Sequence, residues 1–375
     1  MTLLLSPEQE LVKKVVADFA QQDLAADATK IDRESRFPRE HVAKMAPLGL
    51  LGMLVPAEQG GAGTDTLSFV VAVEEIAKVS GTDAAFMIFQ NALVSRLLND
   101  LGNEEQKTRF LAPILRGELL AGCAIAEEAT GAQHNWVRTT VKPHGDGFEL
   151  KGAKAFVGLA GIADLHLVLC KAQDGPQFVI LPKDTKGLHF APSESKLGLR
   201  GLPIADMYLN RAEIPKENLL GAPDSGWTAL EEPLDLARMA VASALVGLTQ
   251  GALEMSIEFA KSRVQFGQPI AQFGAIRGMI ADVQAELEAA RATTYGAAAL
   301  RDSGKPYKEE VLEARLLAHR IAVRGTKIAH KIHGGAGFMR DLPLERLSRD
   351  VRTLMHLWDA QDITRARLAD LVLGT

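Results

Sequence analysis

The hydrophobic rhythm of the chain changes twice. From Ser6 to about Gly117 apolar residues recur at helical spacing, interrupted by turn signals at residues 49–52, at 56–65 with its Gly60-Gly61-Ala62-Gly63 run, and at Gly102. Ser6-Pro7-Glu8-Gln9 reads as a helix start: a hydroxyl cap, proline at the first helical position, and Gln9 placed to reach back to the cap amide. From about Leu120 the pattern becomes short alternating or wholly apolar runs, Phe148-Glu149-Leu150, Leu165-His166-Leu167-Val168-Leu169, Gln177-Phe178-Val179-Ile180-Leu181 and Met207-Tyr208-Leu209, set between Gly, Asp and Pro turns. These predict strands. Past Gly226 long helical stretches return over residues 234–263, 274–303 and 308–332, separated by breaks at 266–270 and at Gly304-Lys305-Pro306. Helices of that length joined by short loops predict an antiparallel bundle. The order helix, strand, helix is an α+β pattern, with regions expected at 1–119, 120–225 and 226–375.

Composition adds mainly exclusions. At 375 residues and 47% hydrophobic the chain can bury a large core. A net charge of −5 with no long Lys/Arg block gives no electrostatic reason to expect nucleic acid or an anionic membrane as partner. The apolar run at residues 3–5 is too short for a secretory h-region, and no uninterrupted apolar segment reaches the roughly 18 residues of a span. Cys123 and Cys170 are expected to be buried and reduced, and the location cytoplasmic. His134, His166, His333 and His356 show no metal-ligand spacing, so no metal is expected.

Candidate chemistry concentrates in the last third. Arg263 falls in the last turn of a predicted helix that ends at Phe266-Gly267-Gln268-Pro269, where its guanidinium fork could reach over the break to a phosphate. Taken alone, it would more simply complement a helix C-terminus. Lys331-Ile332-His333-Gly334-Gly335-Ala336-Gly337 ends another helix in glycines, which allow left-handed turns and close approach of a ligand to backbone amides.

Read together with Pro343-Leu344-Glu345-Arg346 and Arg349-Asp350-Val351-Arg352, these segments resemble the acyl-CoA dehydrogenase family over nearly the whole chain. The resemblance implies an N-terminal all-α domain, a middle β-barrel and a C-terminal four-helix bundle, with FAD at their junction. It implies that Arg263, Gln265 and Phe266 meet the FAD pyrophosphate, and that Lys331, Gly334 and Gly335 reach the adenine end of FAD held mainly by a neighbouring subunit. Phe156 and Gly158 match the positions beside the isoalloxazine ring, where the family usually has Trp and Thr or Ser. Arg238, in Leu234-Asp235-Leu236-Ala237-Arg238, matches the arginine that meets the CoA nucleotide. Glu127 and Gly131 match the family's Thr-Glu-Pro-x-x-Gly-Ser-Asp loop, with Gly131 implied on the substrate side, whereas Ala126, Ala132 and Gln133 depart from it.

The family's reaction needs a carboxylate to take an α-proton. One of its two usual places is Ala237 here, which has no such chemistry. The other falls in Leu357-Trp358-Asp359-Ala360-Gln361-Asp362-Ile363, where counting from Arg349-Asp350 selects Trp358 and counting back from Ile363 with one deletion selects Asp359. Asp359 is the candidate base. The resemblance implies an acyl-CoA substrate, an electron-transferring flavoprotein as electron partner, a role in acyl-CoA catabolism, and an oligomer, a dimer of dimers. Departures at Ala126, Ala132, Gly158, Ala237, Lys331 and Ala360 resemble the eroded subunit of a heteromeric enzyme. A non-catalytic partner that completes another subunit's FAD site, and a flavin oxidase or monooxygenase on the same fold, are the alternatives.

Overall fold

The computed structural model describes residues 5–128 and 136–374. Its N-terminal region is helical: α1 (Pro7–Phe19), α2 (Ala25–Glu34), α3 (Arg39–Met45), α4 (Thr66–Val79), α5 (Gly81–Ile88), α6 (Arg96–Leu101) and the short α7 (Glu104–Gln106) and α8 (Ala112–Leu115). The expected capping box is present, since Ser6 Oγ accepts from the Gln9 amide at 3.2 Å while Gln9 Oε1 accepts from the Ser6 amide at 2.9 Å. A π-helical segment, Phe89–Ser95, joins α5 to α6 and carries Phe89.

Strands follow: β1 (Ala121–Ala124), β2 (Thr140–His144), β3 (Gly147–Gly158), β4 (Leu165–Lys171), β5 (Pro176–Pro182), β6 (Leu188–Phe190), β7 (Ile204–Pro215) and β8 (Leu219–Leu220). They form one sheet in the order β6-β7-β3-β2-β4-β5-β8, with β1 pairing in parallel to β4. β4 and β5 read as continuous apolar runs because both faces are covered. Leu165, Leu167, Leu169, Phe178 and Ile180 join the core shared with the helices. Val168, Cys170, Val179 and Leu181 join Val141, Leu150, Met207 and Ile214 in a separate core. Cys123 and Cys170 are free and buried, and burial pushes each thiol up to about 12.

The last region begins with α9 (Thr228–Ser262). A two-strand hairpin, β9 (Val264–Gln265) and β10 (Gln268–Pro269), follows it, then α10 (Gly274–Asp302), α11 (Lys308–His333), α12 (Leu344–Leu354) and α13 (Gln361–Leu373). α9 starts six residues before the expected Leu234 and runs through Pro233. It is long and apolar enough to cross a membrane, yet 94% of its most apolar 18-residue window is buried inside the protein. Its apolar character on every side fits a helix packed all round. Close crossing of α4 and α9 depends on Gly247, where an added Cβ would sit 2.3 Å from the Glu74 carbonyl oxygen.

Candidate active site

A cavity of about 770 Å³ opens at the junction of the three regions. Phe89 comes to it from the π-helical segment, Ile125 to Glu128 from the end of β1, Phe156 from β3, Glu194 to Leu197 from the link before β7, and Trp358 from the turn between α12 and α13.

Phe156 is on this wall; Gly158, two residues on in β3, is not among the lining residues. β3 bulges between Lys154 and Val157, and Phe156 at φ +54° stands 73% exposed while its amide donates to Asp206 Oδ1 at 3.2 Å. A bulge of this kind re-aims a side chain. Gly158 is backed by Phe89: an added Cβ would meet the Phe89 ring at 3.1 Å. Phe89 packs in turn on Trp358, centroids 4.8 Å apart at 56°. The sequence reading did not single out Phe89. Its only signal was an aromatic residue in an otherwise ordinary helical run.

Beneath the wall lies a buried ion pair. Lys154 Nζ donates to Glu127 Oε1 at 2.8 Å and to the Ile125 carbonyl at 3.1 Å, and the amides of Arg138 and Thr139 complete the Glu127 shell at 2.9 Å each. Burial works to raise the Glu127 pKa, but the Lys154 ammonium and the Thr139 amide outweigh it and hold the carboxyl below its ordinary range. Lys196, also on the wall, is depressed by burial and then by Arg200. Gly131, Ala132, Gln133 and His134 lie outside the described residues.

Trp358 and Asp359 take different surroundings at one turn. Trp358, at φ +66°, lines the cavity; Asp359 does not. The Asp359 side chain is fully buried, pairs with Arg238 Nε, and accepts from Arg367 Nη1 at 3.4 Å. Arg238 also donates to Asp235 Oδ1 at 2.6 Å, so its guanidinium is occupied by two carboxylates and is not on the cavity wall. Neither Arg238, expected at a CoA nucleotide, nor Asp359, expected as the base, stands on the cavity wall. The two residues are partners, and the count that adds no deletion puts Trp358 on the wall. Arg315 of α11 pins the same turn by donating to the carbonyls of Met355 at 3.1 Å and Leu357 at 2.9 Å. Full burial lowers Arg315 to about 10 despite the nearby Asp359.

At one end of the bundle, the hairpin after α9 and the glycine corner after α11 sit together. Phe259 stacks on His333 with centroids 4.4 Å apart, and Ala260, Ile270 and Ile332 form a small core beneath them. Arg263 and Lys331 are exposed, with no side-chain ion pair among the described residues, and Gln265 donates only to the neighbouring Val264 carbonyl. Gly334 takes φ +55° and Gly267 φ +79°, which favour glycine. Phe266 is 94% exposed and Phe338 83%.

A flat ring system fits these residues on two observations. The cavity presents the open face of Phe156 beside apolar Ile125, Ile204 and Leu357, and the free Arg263 guanidinium suits a phosphate.

Models of the acyl-CoA dehydrogenase N-terminal, middle and C-terminal domains match residues 6–118, 122–212 and 224–372. The chain is 35% identical over 360 residues to the probable acyl-CoA dehydrogenase YngJ of Bacillus subtilis, covering 94% of this chain and 95% of that one. It is 34% identical to the caffeyl-CoA reductase-Etf complex subunit CarC of Acetobacterium woodii, with 93% and 94% covered. Among solved structures, butyryl-CoA dehydrogenase from Megasphaera elsdenii superposes with a TM-score of 0.94 at 28% identity, over the full length of both chains.

Proposed function

This chain belongs to the acyl-CoA dehydrogenase family, and from that premise we propose that it takes part in FAD-dependent α,β-oxidation or reduction of a CoA thioester, exchanging electrons with an electron-transferring flavoprotein. The observation that carries the reading is the cavity to which all three family regions contribute, with Phe156 open to it. When bound, FAD supplies the hydride acceptor.

This chain's residues supply the surroundings. Phe156 offers a ring face, Ile125 and Ile204 exclude water, and Lys154 with Glu127 holds the β1 end in place. Arg263, Gln265 and Phe266 are the proposed pyrophosphate contacts, and Lys331, Gly334 and Gly335 the proposed contacts toward an adenine from a second subunit. Asp359 and Arg238 are assigned a positioning role: their ion pair fixes the turn that presents Trp358. Indole takes no proton at neutral pH. Of the wall carboxylates, Glu127 is committed to Lys154, while Glu128 and Glu194 carry no ion pair among the described residues.

Trp358 on the wall favours a second reading, in which this chain is one subunit of a heteromer whose other subunit brings the base. A cytoplasmic location belongs to the same proposal.

The test is the visible spectrum of the purified chain, followed by anaerobic addition of acyl-CoA thioesters. Flavin absorption bleached by a thioester is the expected result. Bound flavin that bleaches only after a partner subunit is added selects the heteromer, and fast reoxidation by air selects an oxidase. A colourless protein that takes up no added FAD would refute the cofactor assignment.

A further inference from the structure

Far along the chain from the cavity residues, α2 and α3 bring three ligand-type side chains together: Asp27, Glu40 and His41 each offer one atom within 4.8 Å of the others. His41 is completely buried. Its Nδ1 lies 3.0 Å from Asp83 Oδ1, and Asp83 Oδ2 accepts from Ser80 Oγ at 2.5 Å. The ring is therefore fixed by a carboxylate that is itself fixed. Its Nε2 is buried with no hydrogen-bond partner and lies 3.7 Å from Asp27 Oδ2, too far for a direct hydrogen bond.

A buried nitrogen aimed at two carboxylates, with a third behind the ring, is the arrangement of a carboxylate–histidine–metal relay. We propose that His41 Nε2, Asp27 and Glu40 bind a zinc ion, with Asp83 orienting the imidazole, and that the ion clasps α2 to α3.

The spacing suits that ion. Two ligand atoms each about 2.0 Å from a tetrahedral centre lie about 3.3 Å apart, so the 3.7 Å between His41 and Asp27 needs a small inward rotation of Asp27, and the half-exposed Glu40, within 4.8 Å of both, has to swing in further. Charge suits it too. Asp27, Glu40 and Asp83 converge on the imidazole, and the two neighbouring cations are engaged: Arg36 is shared between Glu40 Oε1 at 2.6 Å and Glu34 at 3.5 Å, and Lys44 pairs with Asp23 Oδ1 at 2.8 Å. Glu40 Oε2 stays available, and Asp27 makes no other ion pair among the described residues. The Asp27 and Glu40 side chains are nearly half exposed, which gives the ion an entry path and leaves a fourth position to water.

Titration of the chelator-treated, tag-free full chain with ZnCl₂ in a calorimeter tests this. One saturable equivalent is expected, reduced to background in His41→Gln and Asp27→Asn, weakened ten- to a hundredfold in Asp83→Asn, and not displaced by equimolar Mg²⁺. Zinc should also raise the melting temperature of the wild type and not of Asp27→Asn. Asp27 is exposed enough that its variant should fold even if the others do not. Wild-type binding no stronger than that of Asp27→Asn, or a stoichiometry unchanged in both ligand variants, would overturn the site.

Discussion

At the scale of single residues, Asp359 shows how one position of offset changes chemistry. Its carboxylate sits between Arg238 and Arg367 with no solvent exposure, and Arg238 is shared with Asp235. Removing one member of a buried ionic group leaves charge without compensation, at a cost of about 3–5 kcal/mol. Asp359→Ala should therefore lower the melting temperature markedly. A variant as stable as the wild type would show that the pair does not hold the turn. At the same scale, a Cβ on Gly158 would press on the Phe89 ring at 3.1 Å, and that ring is held against Trp358.

At the scale of elements, the link before β7 is locked onto α12 through Asp350. Its Oδ1 accepts from the Leu199 amide at 2.6 Å, Oδ2 lies 3.8 Å from Arg346, and α5 approaches so closely that a Cβ on Gly81 would be 2.9 Å from Asp350 Cβ. Burial raises this carboxyl from 3.8 to about 6, with Arg346 and the Leu199 amide offsetting only part of the penalty. The folded state thus holds the Asp350 proton more tightly than the unfolded chain does. Its contribution to stability is greatest below about pH 4, declines as pH rises to about 6, and is constant above that. Stability of the wild type relative to Asp350→Asn, measured across this window, should fall by on the order of 3 kcal/mol from the acid to the neutral end. A difference that stays flat with pH would rule the linkage out.

For the molecule as a whole, the exposed end of the bundle is the feature that asks for a neighbour. Phe266, Phe338, Met339 and Val264 are all more than half exposed around the hairpin and glycine corner, and such apolar clusters on a soluble protein mark contact surfaces. The double substitution Phe266→Asp, Phe338→Asp should reduce the sedimenting mass by half or more and release bound flavin. An unchanged mass would remove this end from the assembly.

Much of the architecture was legible in the chain because periodicity reports which side of an element faces a core. The long helices begin or end within a residue of expectation at Gly274, Lys308 and His333, and the apolar runs of β4 and β5 are strands covered on both sides. The glycine corner was legible for a local reason as well, since Gly334 needs a backbone conformation that other residues resist. What the chain alone left open were relations between elements. Whether Trp358 or Asp359 faced the cavity depended on where Arg238, Arg315 and Arg367 lay in space. That Phe89 crowds Gly158 depended on the π-helical segment meeting β3, and that His41 points at Asp27 depended on how α2 packs beside α3. Linear spacing encodes the face of one helix or strand, whereas a site is made where several faces meet, and only packing decides which side chains share that space.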